Sequence, residues 1–425
     1  MKPSSARPLF LHSAAQLLTL AGPPVPRRGL ALAELGIIRG GALLARRGEI
    51  LRIGTTRQLA REARSLKARA IDCRGRVVMP GFVDSHTHLV FAGNRVDDFE
   101  RRVSGETYEE IARAGGGIAH SARLLRNTAA HELVAMASRF LEQFATHGTT
   151  TVEIKTGYGL DVEGELKILE AIHRLREISR LELVPTLLAA HALPEDFEGR
   201  REEFLALVTE TLIPVVARDG LAEFVDCFCD SGAFTVEECQ RVLKAGIHHG
   251  LVPRIHAEQL SRTGAAQMAI ELGAASADHL DQVRAVDVQA LARSNVVATL
   301  LPGANFHLGL CHYPPARELI DAGAALALAT DFNPGTSPTL NMQFILSLAC
   351  SQMHMTPAEA ISAATINAAY SLRRADHLGS LEPGKQADVI VMDVADYREI
   401  PYYFAWNHCV LTVKRGRILH STMRA

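Results

Sequence analysis

Four histidines and one aspartate follow apolar segments of the chain in a pattern suited to binding a metal ion. His86 and His88 are separated by one residue at the end of an apolar run, so in a strand their side chains leave the same face. His256, His279 and Asp331 each close a later apolar run. Nitrogen and oxygen ligands that converge from separate strands, with one position open for water, are typical of a catalytic zinc or iron site. The chemistry indicated is activation of water for hydrolysis.

Each of these residues, taken alone, has another interpretation. A single histidine in an apolar strand, such as His191 or His279, is more often a hydrogen-bonded core residue than a ligand. Lys155 also ends an apolar run, and a lysine in that position can be carboxylated to bridge two metal ions. Because a Thr-Gly-Tyr-Gly turn follows Lys155 at once, we predict a single-metal site instead. Histidines in helical or peripheral segments are assigned to structure or solvent: His248, His249, His354 and His408.

The elements that must position these residues are predicted to be β/α units. From residue 80 onward, short apolar runs alternate with longer charged segments of helical character, as expected for a parallel sheet. Eight such runs can be counted, which is the number of strands in a closed α/β barrel. They cover residues 77–89, 149–159, 181–193, 222–232, 251–258, 275–280, 296–303 and 325–334. Active sites of such barrels lie at the carboxyl ends of the strands, where the candidate ligands are.

The two ends of the chain have a different character. Residues 31–78 and the segment after 379 contain short alternating apolar runs and glycine turns, which indicate strands. We therefore predict an α/β fold, a (β/α)8 TIM-like barrel over residues 80–378. A small β-sandwich domain is expected to combine residues 1–79 with residues 379–425. A length of 425 residues suits one barrel with one satellite.

Composition excludes several classes of function. Lys and Arg number 45 and Asp and Glu 47, so no strong field attracts nucleic acid or an anionic membrane. Seven scattered cysteines do not suggest a disulfide framework, and no apolar run approaches the length of a membrane span. Residues 9–20 are mildly apolar, but His12 and Gln16 interrupt them and no clean cleavage site follows. We expect a cytoplasmic protein with a small-molecule substrate and no nucleic-acid or membrane partner.

Two other catalytic signatures are missing from the sequence. The glycines at 115–117 have neither the GxGxxG spacing nor the GK[ST] ending of a phosphate-binding loop. No GxSxG elbow supports serine-based hydrolysis. Metal-dependent hydrolysis is therefore the remaining interpretation of the polar residues at the strand ends.

Several motifs resemble the amidohydrolase superfamily, over nearly the whole chain from about residue 30. The resemblance is carried by PGFVDSHTHL, RIHAEQ, ADHL, TDFNPG and LEPGKQADVIVMD. Longer segments resemble the imidazolonepropionase family within it, in order and at suitable spacing: HLVFAGNRVDDFE, SGETYEEIARAGGGI, TTTVEIKTGYGL, AAHALPEDF, HAEQL and TDFNPGTSPTLNM. This resemblance implies a hydrolase that opens the ring of 4-imidazolone-5-propanoate to N-formimidoyl-L-glutamate in histidine degradation. It also implies a homodimer.

The resemblance assigns roles to individual residues. It implies one Zn²⁺ or Fe ion per subunit on His86, His88, His256 and Asp331, with Asp331 and His279 as catalytic residues. Substrate contacts are implied for Arg95, Tyr108, Tyr158, His191, Asn333, Gly335 and Thr336. One position departs from some members, because the third residue after the metal histidine, often Glu, is Gln259 here. Its amide can contact the substrate but cannot be an anionic base. Asp331 is then the preferred proton acceptor.

The choice of substrate depends mainly on Arg95. Its planar fork suits a propionate carboxylate better than a lysine would. Arg95 could instead pair with Asp97 or Asp98 in a surface loop. Tyr108 and Tyr158 could likewise be plain core or loop aromatics. A nucleobase deaminase of the same superfamily would share the metal ligands but need no carboxylate-binding arginine. A non-enzymatic descendant would show a broken ligand set, and here no ligand is missing.

Overall fold

The computed structural model describes residues 7–423, apart from the side chains of Tyr108, Glu109 and Ala112. Its strands are β1 (Leu9–Ala14), β2 (Gln16–Leu18), β3 (Ile37–Ile38), β4 (Gly41–Arg46), β5 (Glu49–Thr55), β6 (Arg69–Asp72), β7 (Val77–Pro80), β8 (Phe82–Asp84), β9 (Thr149–Lys155), β10 (Glu182–Ala190), β11 (Phe224–Cys229), β12 (Val252–Ala257), β13 (Ser276–His279), β14 (Val297–Leu300), β15 (Ala325–Leu328), β16 (Val389–Met392), β17 (Cys409–Lys414) and β18 (Arg417–Ser421).

The α-helices are α1 (Thr56–Ser65), α2 (Val96–Val103), α3 (Tyr108–Arg113), α4 (Gly117–Arg126), α5 (Ala130–Thr146), α6 (Val162–Ile178), α7 (Arg201–Ala206), α8 (Ile213–Arg218), α9 (Val236–His248), α10 (Ala265–Glu271), α11 (Ala285–Ala292), α12 (Pro302–Leu308), α13 (Ala316–Ala322), α14 (Met342–Met353), α15 (Pro357–Ser362), α16 (Ala368–Ser371) and α17 (Glu399–Tyr402). Short 3₁₀ segments cover Gly29–Ala33 and Glu195–Phe197, and π-helical turns cover Leu207–Leu212 and Ala363–Asn367. Among the residues described, no helix is long and apolar enough to cross a membrane.

Strands β8 to β15 form the predicted parallel barrel. They are hydrogen-bonded in consecutive order, and each is followed by at least one helix. The sheet closes between its first and last strands, where the His88 N–H donates to the Phe332 carbonyl (2.9 Å) and the Asp331 N–H to the His86 carbonyl (3.1 Å). The same closure brings residues 86–88 beside residue 331. The barrel expected from eight apolar runs is confirmed.

The two ends of the chain build the additional sheets. One has the order β5-β4-β1-β6, and the other has the order β18-β17-β16-β7-β2-β3, so it combines strands from both ends. They share one buried apolar cluster, which includes Leu11, Leu43, Val391 and Val413. This burial of apolar side chains between sheets is the main stabilising contribution for such a unit.

The prediction of one strand over 77–89 is wrong. Val77–Pro80 pairs with β16 and β2 in the six-stranded end sheet, and the barrel strand begins only at Phe82. Gly81 separates the two, and a Cβ there would lie 2.3 Å from Thr150 Cγ2. The chain therefore passes from one sheet to the next at a glycine that packs closely against β9. Alternating burial cannot reveal this change, because both strands are fully buried.

Candidate metal centre and active site

The predicted metal ligands meet at the carboxyl end of the barrel. His86 Nε2 and His88 Nε2 lie 3.5 Å and 3.7 Å from Asp331 Oδ1. His88 Nε2 lies 3.4 Å from His256 Nε2, and His279 joins His86 and His256 in a second close group. Atoms bound tetrahedrally at about 2.1 Å from a zinc ion lie about 3.4 Å apart. The spacing of these donor atoms therefore fits a single ion between them.

The hydrogen bonding of these rings also fits a metal ion. In the described structure, His86 Nε2 is buried and has no hydrogen-bond partner. His88 Nε2 and His256 Nε2 face each other, and two neutral rings in that arrangement leave at least one lone pair unused. Buried polar atoms without partners are rare in folded proteins, and a cation would satisfy these. The residues present fit the ion that the amidohydrolase resemblance implies.

Burial keeps the candidate ligands His86 and His88 in the neutral form that can bind a metal ion. Burial, and then the positive charge of Lys155, lowers the pKa of His86 well below its ordinary value. Burial and neighbouring histidines do the same to the pKa of His88 and of His279. These rings are therefore neutral, as metal binding requires. Burial raises the pKa of the Asp331 carboxyl, so its anionic form needs a cation beside it.

Two buried aspartates hold the metal-facing histidines from behind. His86 Nδ1 donates to Asp278 Oδ2 at 2.7 Å, and His256 Nδ1 lies 3.1 Å from Asp226 Oδ2. The hydrogen bond to Asp278 fixes the His86 tautomer that leaves Nε2 free to bind a metal, and the nearby Asp226 carboxylate favours the same tautomer of His256 electrostatically. The sequence analysis missed both aspartates. A signal was present for Asp226, which is a charged residue inside the otherwise apolar strand β11, whereas β13 contains Ser276 and His279 besides Asp278.

Lys155 lies below this group rather than between metal sites. It is completely buried, and its Nζ donates to Glu153 Oε1 (2.9 Å) and Asp226 Oδ2 (2.8 Å). Burial acts to lower the pKa of Lys155, but the attraction of Asp226 and Glu153 outweighs it and leaves that pKa raised. A protonated, hydrogen-bonded ammonium has no free lone pair for carboxylation. This arrangement favours the predicted single-metal site.

His279 and His191 complete the ring of imidazoles. His279 ends β13 with a left-handed backbone (φ 80°), and its Nδ1 lies 4.0 Å from Asp281 Oδ2. His191 donates from Nδ1 to the Gly157 carbonyl (2.8 Å) and stacks on His88 with 5.1 Å between ring centroids. Burial lowers the pKa of His191 to about 3, so this ring is neutral as well. Both residues therefore lie beside the candidate ligands.

Arg95 forms a cationic wall of the site. It is 7% exposed, donates from Nε to Ser121 Oγ (3.0 Å) and lies 3.4 Å through Nη2 from the Tyr158 hydroxyl. A Cβ on Gly335 would lie 2.4 Å from Arg95 Cζ, so this glycine makes room for the guanidinium. In the part of the chain described, no carboxylate forms an ion pair with Arg95; Asp98 instead accepts the Gly117 N–H (2.9 Å). The alternative of an Arg95 pairing with Asp97 or Asp98 is not what the structure shows.

Glu165 holds the loop that carries Tyr158. Its buried carboxylate accepts hydrogen bonds from the backbone N–H groups of Gly157 (3.1 Å), Gly159 (2.8 Å) and Leu160 (2.9 Å). Burial raises the pKa of Glu165 to about 7 despite these bonds. The Gly157 carbonyl in the same loop accepts the His191 bond described above. The sequence analysis missed Glu165, because it lies within a helix and has no motif of its own.

Other predicted contacts have different surroundings. Asn333 uses its amide within its own loop, where Oδ1 accepts the Gly335 (2.8 Å) and Thr336 (2.7 Å) N–H groups and Nδ2 donates to the Asp331 carbonyl (2.6 Å). Its side chain thus shapes the turn beside Asp331. Gln259 is partly exposed, and its N–H donates to Asp230 Oδ2 (2.9 Å). Tyr108 begins α3, but its side chain lies outside the described residues.

Comparison with known proteins places these features in a family. The sequence matches the amidohydrolase family over residues 77–419. It is 45% identical over 421 residues to an imidazolonepropionase of Chloroflexus aggregans, covering 97% of this chain and 98% of that protein. It is 47% identical over 394 residues to an imidazolonepropionase of Solibacter usitatus, covering 93% and 94%.

A solved structure agrees with the fold. An adenosine deaminase from Xanthomonas campestris with bound zinc superimposes with a TM-score of 0.68. Its sequence is 17% identical, and the match covers 97% of this chain and 93% of that one. At this level of identity the likeness concerns the fold alone.

Proposed function

Because the chain belongs to the amidohydrolase family and, within it, to the imidazolonepropionases, we propose that its barrel site hydrolyses the ring of 4-imidazolone-5-propanoate to N-formimidoyl-L-glutamate. The observation that carries the assignment to this substrate is the buried Arg95, to which the described residues offer no carboxylate partner and which lies close to the candidate metal ligands through Tyr158. Tyr158 contacts Arg95 on one side, and its ring centroid lies 5.8 Å from that of His88 on the other. A substrate that carries both a carboxylate and a reactive ring can therefore place the carboxylate at Arg95 and the ring beside His88.

A nucleobase deaminase is less well supported. Such an enzyme would use the same metal ligands but would have no use for a buried guanidinium that has only neutral partners, Ser121 and Tyr158, among the described residues. A buried cation without an anionic partner is costly, and an anionic ligand offsets that cost. The two relatives described above, at 45% and 47% identity, are imidazolonepropionases, whereas the deaminase likeness rests on the fold.

The site residues can carry out ring opening in a defined order. A divalent ion held by His86, His88, His256 and Asp331 would lower the pKa of water and polarise the ring carbonyl. Arg95 and Tyr158 bind the propionate and fix the ring, while Gln259, Asn333, Gly335 and Thr336 line or shape the remaining walls. The water oxygen bonds to the carbonyl carbon, the bond from that carbon to the ring nitrogen breaks, and the nitrogen gains a proton.

Asp331 is assigned the proton transfer, and His279 the stabilisation of the oxyanion. Asp331 accepts the proton from the attacking water and returns it to the leaving nitrogen, since no other carboxylate is assigned to this position and Gln259 cannot act as a base. His279 is neutral, so one of its ring nitrogens carries a hydrogen that can be donated to the developing oxyanion. His191, with its Nδ1 hydrogen bonded to Gly157, presents Nε2 to the substrate.

One metal ion per chain is expected in the purified protein, since only one complete ligand group is assigned and Lys155 is already ion-paired. We would measure zinc and iron by elemental analysis and follow the loss of imidazolone propionate absorbance. Adenine, guanine and cytosine serve as controls, with ammonia release as the readout. Two stoichiometric ions would contradict the single site, and ammonia release from a nucleobase without ring opening of the imidazolone would contradict the function.

The protein is also proposed to be a cytoplasmic homodimer. Aromatic side chains at the end of α17 and in the loop before β17 support the dimer, because Tyr402, Phe404 and Trp406 are 74%, 70% and 65% exposed. Exposed aromatic clusters are typical of interfaces. Light scattering should give the mass of two chains, and Trp406→Glu should shift it toward one. The matched control is Ile178→Glu, at an exposed apolar residue elsewhere, and an unchanged mass for Trp406→Glu would place the interface on another surface.

A further inference from the structure

Lys155 connects the carboxylates that hold the metal site. Its Nζ contacts Glu153 Oε1 and Asp226 Oδ2, and it lies 3.6 Å from Asp278 Oδ2. All four side chains are fully buried. A buried lysine is tolerated only when its charge is paired, and removing such a partner leaves uncompensated charges behind.

The same carboxylate oxygens also face the metal-site histidines. Asp226 Oδ2 lies 3.1 Å from His256 Nδ1, and Asp278 Oδ2 accepts from His86 Nδ1 at 2.7 Å. Each of these two oxygens therefore stands between Lys155 and a candidate ligand. Movement of Lys155 would change the position of both acceptors at once.

The third carboxylate extends this connection to the backbone. Glu153 Oε2 accepts the N–H of Thr87 at 3.2 Å, and Thr87 is the residue between His86 and His88. Glu153 thereby restrains the segment that carries two of the four candidate ligands. Its other oxygen, Oε1, is the one bonded to Lys155.

Arg254 supplies the second positive charge to these three buried carboxylates, through its contact with Asp278. Its Nη2 lies 3.3 Å from Asp278 Oδ2 and donates to the Ser85 carbonyl at 2.8 Å. The three carboxylates and two cations leave one net negative charge beneath the candidate metal centre. Lys155 is the cation of this group that contacts both Glu153 and Asp226.

We propose that Lys155 is a positioning residue that fixes Asp226, Asp278 and Glu153, and through them orients His256 and the His86–His88 segment for metal binding. The proposal rests on the ligand set given under the proposed function. It assigns to this lysine a role in metal affinity that goes beyond neutralising buried charge.

A second buried lysine provides a matched control. Lys414 is 3% exposed and bridges two carboxylates, Asp388 Oδ2 (2.7 Å) and Glu182 Oε2 (3.2 Å). It lies on β17, and Glu182 begins β10, at the end of the barrel opposite the site. Lys155→Met and Lys414→Met each remove a buried, doubly paired ammonium, but only the first removes it from the metal-site carboxylates.

The test compares zinc affinity of the two variants by competition with a chelator. Both variants should unfold at lower temperature than the parent protein in the metal-free form. Lys155→Met should bind zinc about 10- to 100-fold more weakly, the range typical for loss of an outer-shell partner, whereas Lys414→Met should match the parent protein. Visible absorption of cobalt(II) in the site should change for Lys155→Met alone, because that spectrum reports ligand geometry.

Other outcomes have defined meanings. Equal zinc affinity and unchanged cobalt spectra in both variants would overturn the proposal. If Lys155→Met does not fold, Lys155→Gln, which retains an N–H donor, is measured in the same way; failure of both to fold would assign Lys155 to the barrel itself and overturn its metal-site role. Parent-like zinc binding by His256→Ala would instead show that the ligand set is wrong, which separates the two failures.

Discussion

Replacing His256 with Ala is expected to abolish turnover and release the bound metal. The ring supplies one of four proposed ligands, and its Nε2 lies 3.4 Å from His88 Nε2 in the same group. Asp331→Ala should abolish turnover too, because it removes both a ligand and the proposed proton acceptor. A loss of at least about 1000-fold in kcat/KM, or about 4 kcal/mol, is expected for either variant. Steady-state kinetics and elemental analysis of the purified variants measure the two effects.

The control for these variants is a histidine outside the site. His249 is exposed at the end of α9, so His249→Ala should keep both metal and activity. Circular dichroism of each variant checks that the barrel remains folded. Near-normal activity and metal content in His256→Ala or Asp331→Ala would show that the metal centre lies elsewhere.

Replacing Arg95 with Met is expected to lower kcat/KM for imidazolone propionate by about 30- to 900-fold. The change would leave a partly desolvated carboxylate without its charge-assisted partner, which costs on the order of 2 to 4 kcal/mol. Part of the loss should appear in kcat, because binding of the tail also orients the ring. Arg95→Lys should recover only part of the activity, since an ammonium cannot make the two-point contact.

The metal content of Arg95→Met should remain that of the parent protein, which separates substrate binding from loss of the metal. Arg139→Met, at an exposed position on α5, provides a matched removal of a guanidinium and should change nothing. Turnover of Arg95→Met within about threefold of the parent protein, or below about 0.7 kcal/mol, would contradict the carboxylate-binding role and favour a substrate without that group.

The sequence allowed the barrel to be predicted because its strands are short apolar runs that end in polar residues. That pattern depends only on the burial of both faces of a parallel sheet and on the active-site end of the barrel. It failed over residues 77–89, where two buried strands follow each other and only Gly81 separates them. When both sheets bury their strands completely, the hydrophobicity pattern of the sequence does not show where the chain passes from one sheet to the other.

The candidate ligands could be predicted for a similar reason, and the residues behind them could not. His86, His88, His256 and Asp331 stand at strand ends, whereas Asp226 and Asp278 lie within strands and contact the site only through other side chains. Their partners come from distant parts of the sequence, as in the hydrogen bond of Asp278 with His86. A charged residue in an apolar strand signals a buried partner, but the register that supplies the partner exists only in the closed barrel.

The strand before the first barrel strand has a consequence for synthesis of the protein. Val77–Pro80 pairs with Val389–Met392, whose own neighbour is the strand at Cys409–Lys414. Two residues beyond Pro80, at Phe82, the chain enters the strand that leads to His86. The strand that precedes the first two ligands thus pairs on one side with residues 16–17, earlier in the chain, and on the other side with residues more than three hundred positions later. The second pairing must wait until residues 389–392 have left the ribosome. Such long-range pairing is slow. The support of this segment by β16 is therefore completed only after the barrel strands β8 to β15 have been synthesised.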